Sequence, residues 1–103
     1  MKEKRKYQRI RFGFKVEDSS SKKVWMTENI SPGGCFLQTI ENIPVGTKID
    51  LVFQLPGSSK YIEAVGEVKR LERGGIGVEF VNMDSEGQKK TEDFVRDFIK
   101  FEE

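Results

Sequence analysis

Between Lys48 and Leu55 the chain alternates more cleanly than anywhere else: Ile49, Leu51, Phe53 and Leu55 face one way in an extended backbone. A period of two marks a strand that buries one face, whereas helical apolar residues recur every three or four. The pattern returns along most of the chain. Phe12, Phe14 and Val16 alternate with polar or small residues from Arg11 to Glu17. In Lys23–Glu28, Val24 and Met26 share one face, and Trp25 and Thr27 the other. Cys35–Thr39, Tyr61–Leu71 and a run carrying Ile76, Val78 and Phe80 complete six predicted strands. Turn chemistry separates them at Asp18-Ser19-Ser20-Ser21, Asn42-Ile43-Pro44-Val45-Gly46, Pro56-Gly57-Ser58-Ser59 and Glu72-Arg73-Gly74-Gly75. Gly66, inside the long fifth run, marks a bulge or tight bend. Six short strands joined by turns predict an antiparallel barrel or closed sandwich.

After Met83 the period changes. Asp84 or Ser85 can cap a helix, with Gln88 at capping-box distance from Ser85. Thr91, Phe94, Val95, Phe98 and Ile99 then form one stripe, which predicts a helix packing its phenylalanines on the barrel. Gly87, in its first turn, weakens the start by up to ~1 kcal/mol relative to Ala. One domain is expected: a basic arm (residues 1–11), a β-barrel (12–82) and a C-terminal helix (83–103).

Several function classes fall away on composition. Histidine is absent, which removes the usual general base near neutral pH and the commonest metal ligand. The one cysteine, Cys35, sits in an apolar strand and reads as a small core residue, and a single cysteine excludes an internal disulfide. Ser31 has no evident base to activate it, and Gly33-Gly34 is followed by no helical pattern that would make a phosphate-binding loop. The chain is therefore not expected to be an enzyme. No apolar run approaches the ~20 residues needed to span a bilayer, and charge runs from Lys2 to Arg11 where a signal peptide would be apolar. The expected location is the cytoplasm.

Two polar clusters remain. Residues 1–11 carry six of the 18 basic side chains and one of the 17 acidic ones, leaving 12 against 16, a balance of −4, for the rest. A chain basic only at its arm suits a small anionic ligand, or a contact made by the arm alone, better than a broad nucleic-acid face. Within the arm, Arg5 and Arg9 are four apart with Tyr7 between them. Guanidinium forks pair bidentately with phosphate or with guanine O6/N7, and they stack on flat rings. The second cluster is the turn Asn29-Ile30-Ser31-Pro32-Gly33-Gly34, whose Asn and Ser can aim at one small polar partner.

Arg5-x-x-x-Arg9 followed by Asn29-x-Ser31-x-x-Gly34 in a β-rich chain resembles the PilZ domain family. Gly66-Glu-Val, Gly75-Ile-Gly-Val-Glu-Phe80 and a closing helix stand in family order, so the resemblance covers almost the whole chain. It implies a six-stranded antiparallel β-barrel with a C-terminal α-helix, a bacterial receptor for cyclic di-GMP needing no other cofactor. It assigns Arg5 and Arg9 to the ligand's guanines and phosphates, and Asn29, Ser31 and Gly34 to hydrogen bonds with a guanine on the barrel. Asn29 stands where many members have Asp, so its oxygen accepts from the guanine edge without a carboxylate's charge. A basic residue in the place of Lys4 is associated with two stacked ligand molecules, though lysine lacks arginine's stacking plane.

The implied mechanism is an ordering switch. Self-repulsion is expected to keep the arm mobile until a doubly anionic ligand draws it onto the barrel and changes the surface offered to an unidentified partner protein. Arg70 could reach the same surface, or simply face solvent. Two alternatives compete: a PilZ-like adaptor that binds no nucleotide, and a small barrel binding single-stranded nucleic acid through the arm and Trp25.

Overall fold

The computed structural model describes residues 10–102, with side chains described as far as Ile99. Six strands, β1 (Lys15–Asp18), β2 (Val24–Ser31), β3 (Gly34–Gln38), β4 (Lys48–Phe53), β5 (Ile62–Glu72) and β6 (Gly75–Met83), precede the helix α1 (Ser85–Glu102). All pairings are antiparallel, and the sheet closes as a barrel in the order β1-β2-β3-β6-β5-β4. Among the described residues closure gives every strand a neighbour on both sides.

The alternating residues fill the interior. Ile49, Leu51 and Phe53 of β4 meet Val16, Trp25, Ile30, Cys35, Leu37, Ile62, Val68, Ile76 and Val78 in one buried cluster. Gly66 lies at a register shift and faces inward, where a Cβ would stand 2.5 Å from Val78 Cγ1 and 2.9 Å from Leu51 Cδ1. Its missing Cβ therefore makes room for two core side chains. Phe53 anchors the centre, stacked on Phe80 at 5.9 Å and tilted against Phe14 at 5.7 Å.

The first strand is shorter than its alternation predicts, beginning at Lys15 rather than near Arg11. Residues 11–14 are held by other means. Thr27 Oγ1 donates to the Phe12 carbonyl at 2.8 Å and accepts from the Phe14 N–H at 3.1 Å, while the Thr27 N–H donates to the Phe14 carbonyl at 2.9 Å. Upstream, Ile10 and Ile30 exchange both backbone hydrogen bonds at 2.9 Å.

Helix α1 packs as its stripe predicts: Thr91 and Val95 are buried, and Phe94, Phe98 and Ile99 pack against the core. Phe12 meets Phe94 and Phe98 edge-on at 5.5 and 5.6 Å, so the segment entering the barrel also carries the helix. The N-cap is Asp84, whose Oδ1 accepts from the Gly87 N–H at 2.7 Å. Gly87 has a packing reason, since a Cβ there would come within 3.1 Å of Ile62 and Met83 side-chain atoms.

In the β1–β2 loop the Asp18 carboxylate accepts from the backbone and hydroxyls of Ser20 and Ser21. Burial raises its pKa, but those donors outweigh it and hold the group below its ordinary 3.8. A depressed carboxylate adds stability above its unfolded value and loses it as pH falls through the folded one. Asp18→Asn should accordingly flatten the acid limb of a stability-versus-pH profile below about pH 4 without moving the neutral plateau's slope. Thr27→Val, which keeps the shape but removes the hydroxyl shared by Phe12 and Phe14, should cost about 1–3 kcal/mol in urea unfolding.

Candidate functional site

Of the predicted turn Asn29–Gly34 only Pro32 and Gly33 turn; Asn29, Ile30 and Ser31 continue β2 and Gly34 opens β3. Asn29 and Ser31 reach the surface through an irregularity in β2. Trp25 and Thr27 face the interior, and a regular strand would place Asn29 and Ser31 there too. The register shifts between Thr27 and Asn29, so Asn29 stands opposite Phe36, Ile30 opposite Cys35 and Ser31 opposite Gly34. Cys35 and Leu37 belong to the interior cluster, as does Ile30, and Phe36 does not. Asn29 and Ser31 therefore lie on the outer face. A bulge does this by inserting one extra residue, here Glu28, which reverses the phase of everything after it.

Two rows of residues cross that face. One runs Asn29, Phe36, Gly77, Arg70 over β2, β3, β6 and β5, and the next runs Ser31, Gly34, Glu79, Glu67. Asn29 Oδ1 is buried and meets no hydrogen-bond donor among the described residues. Such an acceptor costs roughly 1–3 kcal/mol until a donor reaches it. Ser31 is 7% exposed; its Oγ accepts from the Gly33 N–H at 3.2 Å and lies 3.4 Å from the Gly34 carbonyl, so the hydroxyl first shapes its own turn. Gly34 is demanded by close approach: a Cβ would sit 2.1 Å from the Val78 carbonyl oxygen. Beside it, Glu79 and Glu67 stand directly opposite each other with Lys69 between them, at 3.4 and 3.5 Å. The Glu79 hydrogen bond, then the Glu67 charge, holds the Lys69 ammonium above its ordinary pKa.

Lys4, Arg5 and Arg9 lie outside the described residues. The structure fixes the point the arm leaves from, because Ile10 pairs with Ile30, the residue between Asn29 and Ser31. The glycines of Gly75-Ile76-Gly77 form part of the floor; Gly75, expected in the hairpin turn, instead opens β6, and Gly77 had no role assigned from sequence. A Cβ at Gly75 would meet the Phe36 ring at 2.5 Å, and one at Gly77 the Arg70 guanidinium at 2.7 Å. The signal was present, since Gly-x-Gly in a strand leaves two neighbouring positions of one face without Cβ atoms. The nucleic-acid alternative loses its platform: Trp25 is 6% exposed and belongs to the core, so no base can stack on it. Among the described residues no cluster of metal-ligating side chains occurs, and no helix is long and apolar enough to cross a membrane.

The PilZ domain family model matches residues 3–97. The chain belongs to the PilZ domain family. PilZ domains are receptor and adaptor domains, typically for cyclic di-GMP. Among solved structures, the Bacillus subtilis inhibitor of motility (MotI/DgrA) superposes with a TM-score of 0.82 at 18% identity, over 95% of this chain and 53% of that one. The chain thus spans about half the length of that protein, and the likeness is one of fold. No curated protein matches.

In this PilZ domain Gly34 has a structural duty apart from any ligand. Gly34→Ala should destabilise the barrel by about 1–3 kcal/mol in urea unfolding, because the obstructing atom is backbone and cannot swing aside.

Proposed function

We propose that this PilZ domain is a bacterial, cytoplasmic receptor that binds cyclic di-GMP between residues 1–11 and the outer face of β2 and β3. The observation that carries the reading is the Ile10–Ile30 bridge, which ties the end of the arginine-bearing segment between Asn29 and Ser31. Arg5 and Arg9 grip guanine and phosphate, and Lys4 adds a charge that suits a second stacked ligand molecule. Asn29 Oδ1, the buried acceptor without a donor among the described residues, takes the N–H groups of a guanine edge. Ser31 and Gly34 hold the turn in shape and leave the backbone accessible. Ligand binding neutralises the arm and draws it onto the barrel, and the altered surface is read by a partner protein rather than by a reaction. Ordering the arm opposes binding by about 2–5 kcal/mol, which the arginine contacts must exceed.

Calorimetric titration tests this directly. Micromolar or tighter binding of cyclic di-GMP is expected. Arg5→Ala/Arg9→Ala should weaken it by about 100-fold or more, as two charge-assisted contacts of about 1.5–3 kcal/mol each are lost. Asn29→Ala should cost about 3- to 10-fold, equivalent to a neutral hydrogen bond of about 0.5–1.5 kcal/mol. Absence of heat up to high micromolar ligand would remove the receptor reading and leave the nucleotide-free adaptor. Binding that survives the double arginine substitution would place the site elsewhere.

A further inference from the structure

Resting on the receptor reading above, we propose that Arg70 is a third arginine of the ligand site, taking the O6/N7 edge of the guanine whose opposite edge meets Asn29. Its place follows from the sheet register. Arg70 is opposite Gly77, Gly77 opposite Phe36, and Phe36 opposite Asn29, so all four share one outer row. A second register shift, between Val68 and Arg70, puts Arg70 on this face although Val68 is fully buried.

The side chain runs back along that row toward Asn29. An ideal Cβ on Gly77 would lie 2.7 Å from Arg70 Cζ and Nη1 and 2.9 Å from its Cγ. The guanidinium thus occupies the space above Gly77, a space open to it only because that residue is glycine. Gly77 is two strands from Asn29, about 10 Å at the usual strand spacing. A purine with one hydrogen bond at each edge fits that interval. Phe36 fills the position between, with its ring turned over Gly75.

The charge state suits the task. Among the described residues Arg70 pairs with Glu72 through Nε. The Arg70 side chain is 41% exposed, and an exposed pair of this kind is weak. The contact orients the guanidinium and uses one of its five donors, leaving the terminal nitrogens for a bidentate pair with guanine. A lysine could meet a phosphate there, but it has no planar fork for a base edge.

Calorimetry with cyclic di-GMP decides the matter, with thermal unfolding run on every variant. Arg70→Ala should bind about 10-fold more weakly than the unaltered chain at an unchanged unfolding midpoint, and Arg70→Lys should be as weak. Gly77→Ala should also bind about 10-fold more weakly, although Gly77 offers the ligand no side chain. Its Cβ meets Arg70 from Cγ to the guanidinium and no backbone atom, so the whole side chain must swing aside, and the unfolding midpoint shows whether the fold holds while the guanidinium is displaced. The double variant should bind no more weakly than Arg70→Ala alone. Arg70→Ala within twofold of the unaltered chain, or losses that add in the double variant, would overturn the role of Arg70 while leaving the receptor reading intact. Full binding by Arg70→Lys would overturn the base-edge assignment. No heat from the unaltered chain would overturn both readings together.

Discussion

The extra residue in β2 is what turns Asn29 and Ser31 to the outside of this barrel. Upstream of it Trp25 and Thr27 point inward, and downstream Ile30 does, so the phase of the strand changes at Glu28. Without that change Asn29 and Ser31 would fall on the interior face, where a buried amide and hydroxyl would need partners the apolar core cannot supply. With it, Ile30 goes in, the motif goes out, and Ile30 offers its backbone to Ile10. The hydroxyl of Thr27, on the inner side of the same irregularity, holds the segment from Phe12 to Phe14. One local insertion thus sets the position of the turn, the arm's point of departure and the entry of the chain into the barrel.

Much of this was legible in the sequence, and the limits have physical causes. Period-two runs located the strands and the change of period located α1, because both signals come from residues choosing between core and water. The start of β1 was not legible: Phe12, Phe14 and Val16 alternate as strand residues do, yet Phe12 is held by a side-chain hydroxyl and two helix rings rather than by a ladder. The bulges at Thr27/Asn29 and Val68/Arg70 were equally hidden. Nothing in Glu28 or Lys69 announces that a neighbouring strand will be paired one residue out of step. Gly66 did announce its bulge, because an absent Cβ is a signal carried by the residue itself.

The candidate site divides along the same line. Asn29, Ser31 and Gly34 could be picked out as a group and are brought together as one, yet their duties differ. Gly34 answers to the Val78 carbonyl and Ser31 to its own turn, so both would be required of a barrel that bound nothing. Asn29 is the exception, with a buried oxygen that no described donor satisfies. Among the three it carries the strongest claim to a ligand. The sequence left Arg70 either on this surface or facing solvent, and only cross-strand register puts it, with Gly77, in the row of Asn29.

These anchors also limit how a ligand can act on the fold. Ile10 is fixed by two backbone hydrogen bonds, and Phe12, two residues on, is wedged between Phe94, Phe98 and Phe14. On the proposed receptor reading, reorganisation of the arm can therefore stop at Ile10 without disturbing the core, and a switch of that kind would work by covering or exposing surface. Transmission to α1 would require the Ile10–Ile30 pair to break and Phe12 to leave its ring contacts, at a cost of the order of a core aromatic truncation, about 3–5 kcal/mol. A ligand contributing binding energy mainly through arginines upstream of Ile10 has no lever on that contact. A partner protein reading the bound state should accordingly recognise the arm and the β2–β3 face themselves, with the helix as a fixed support.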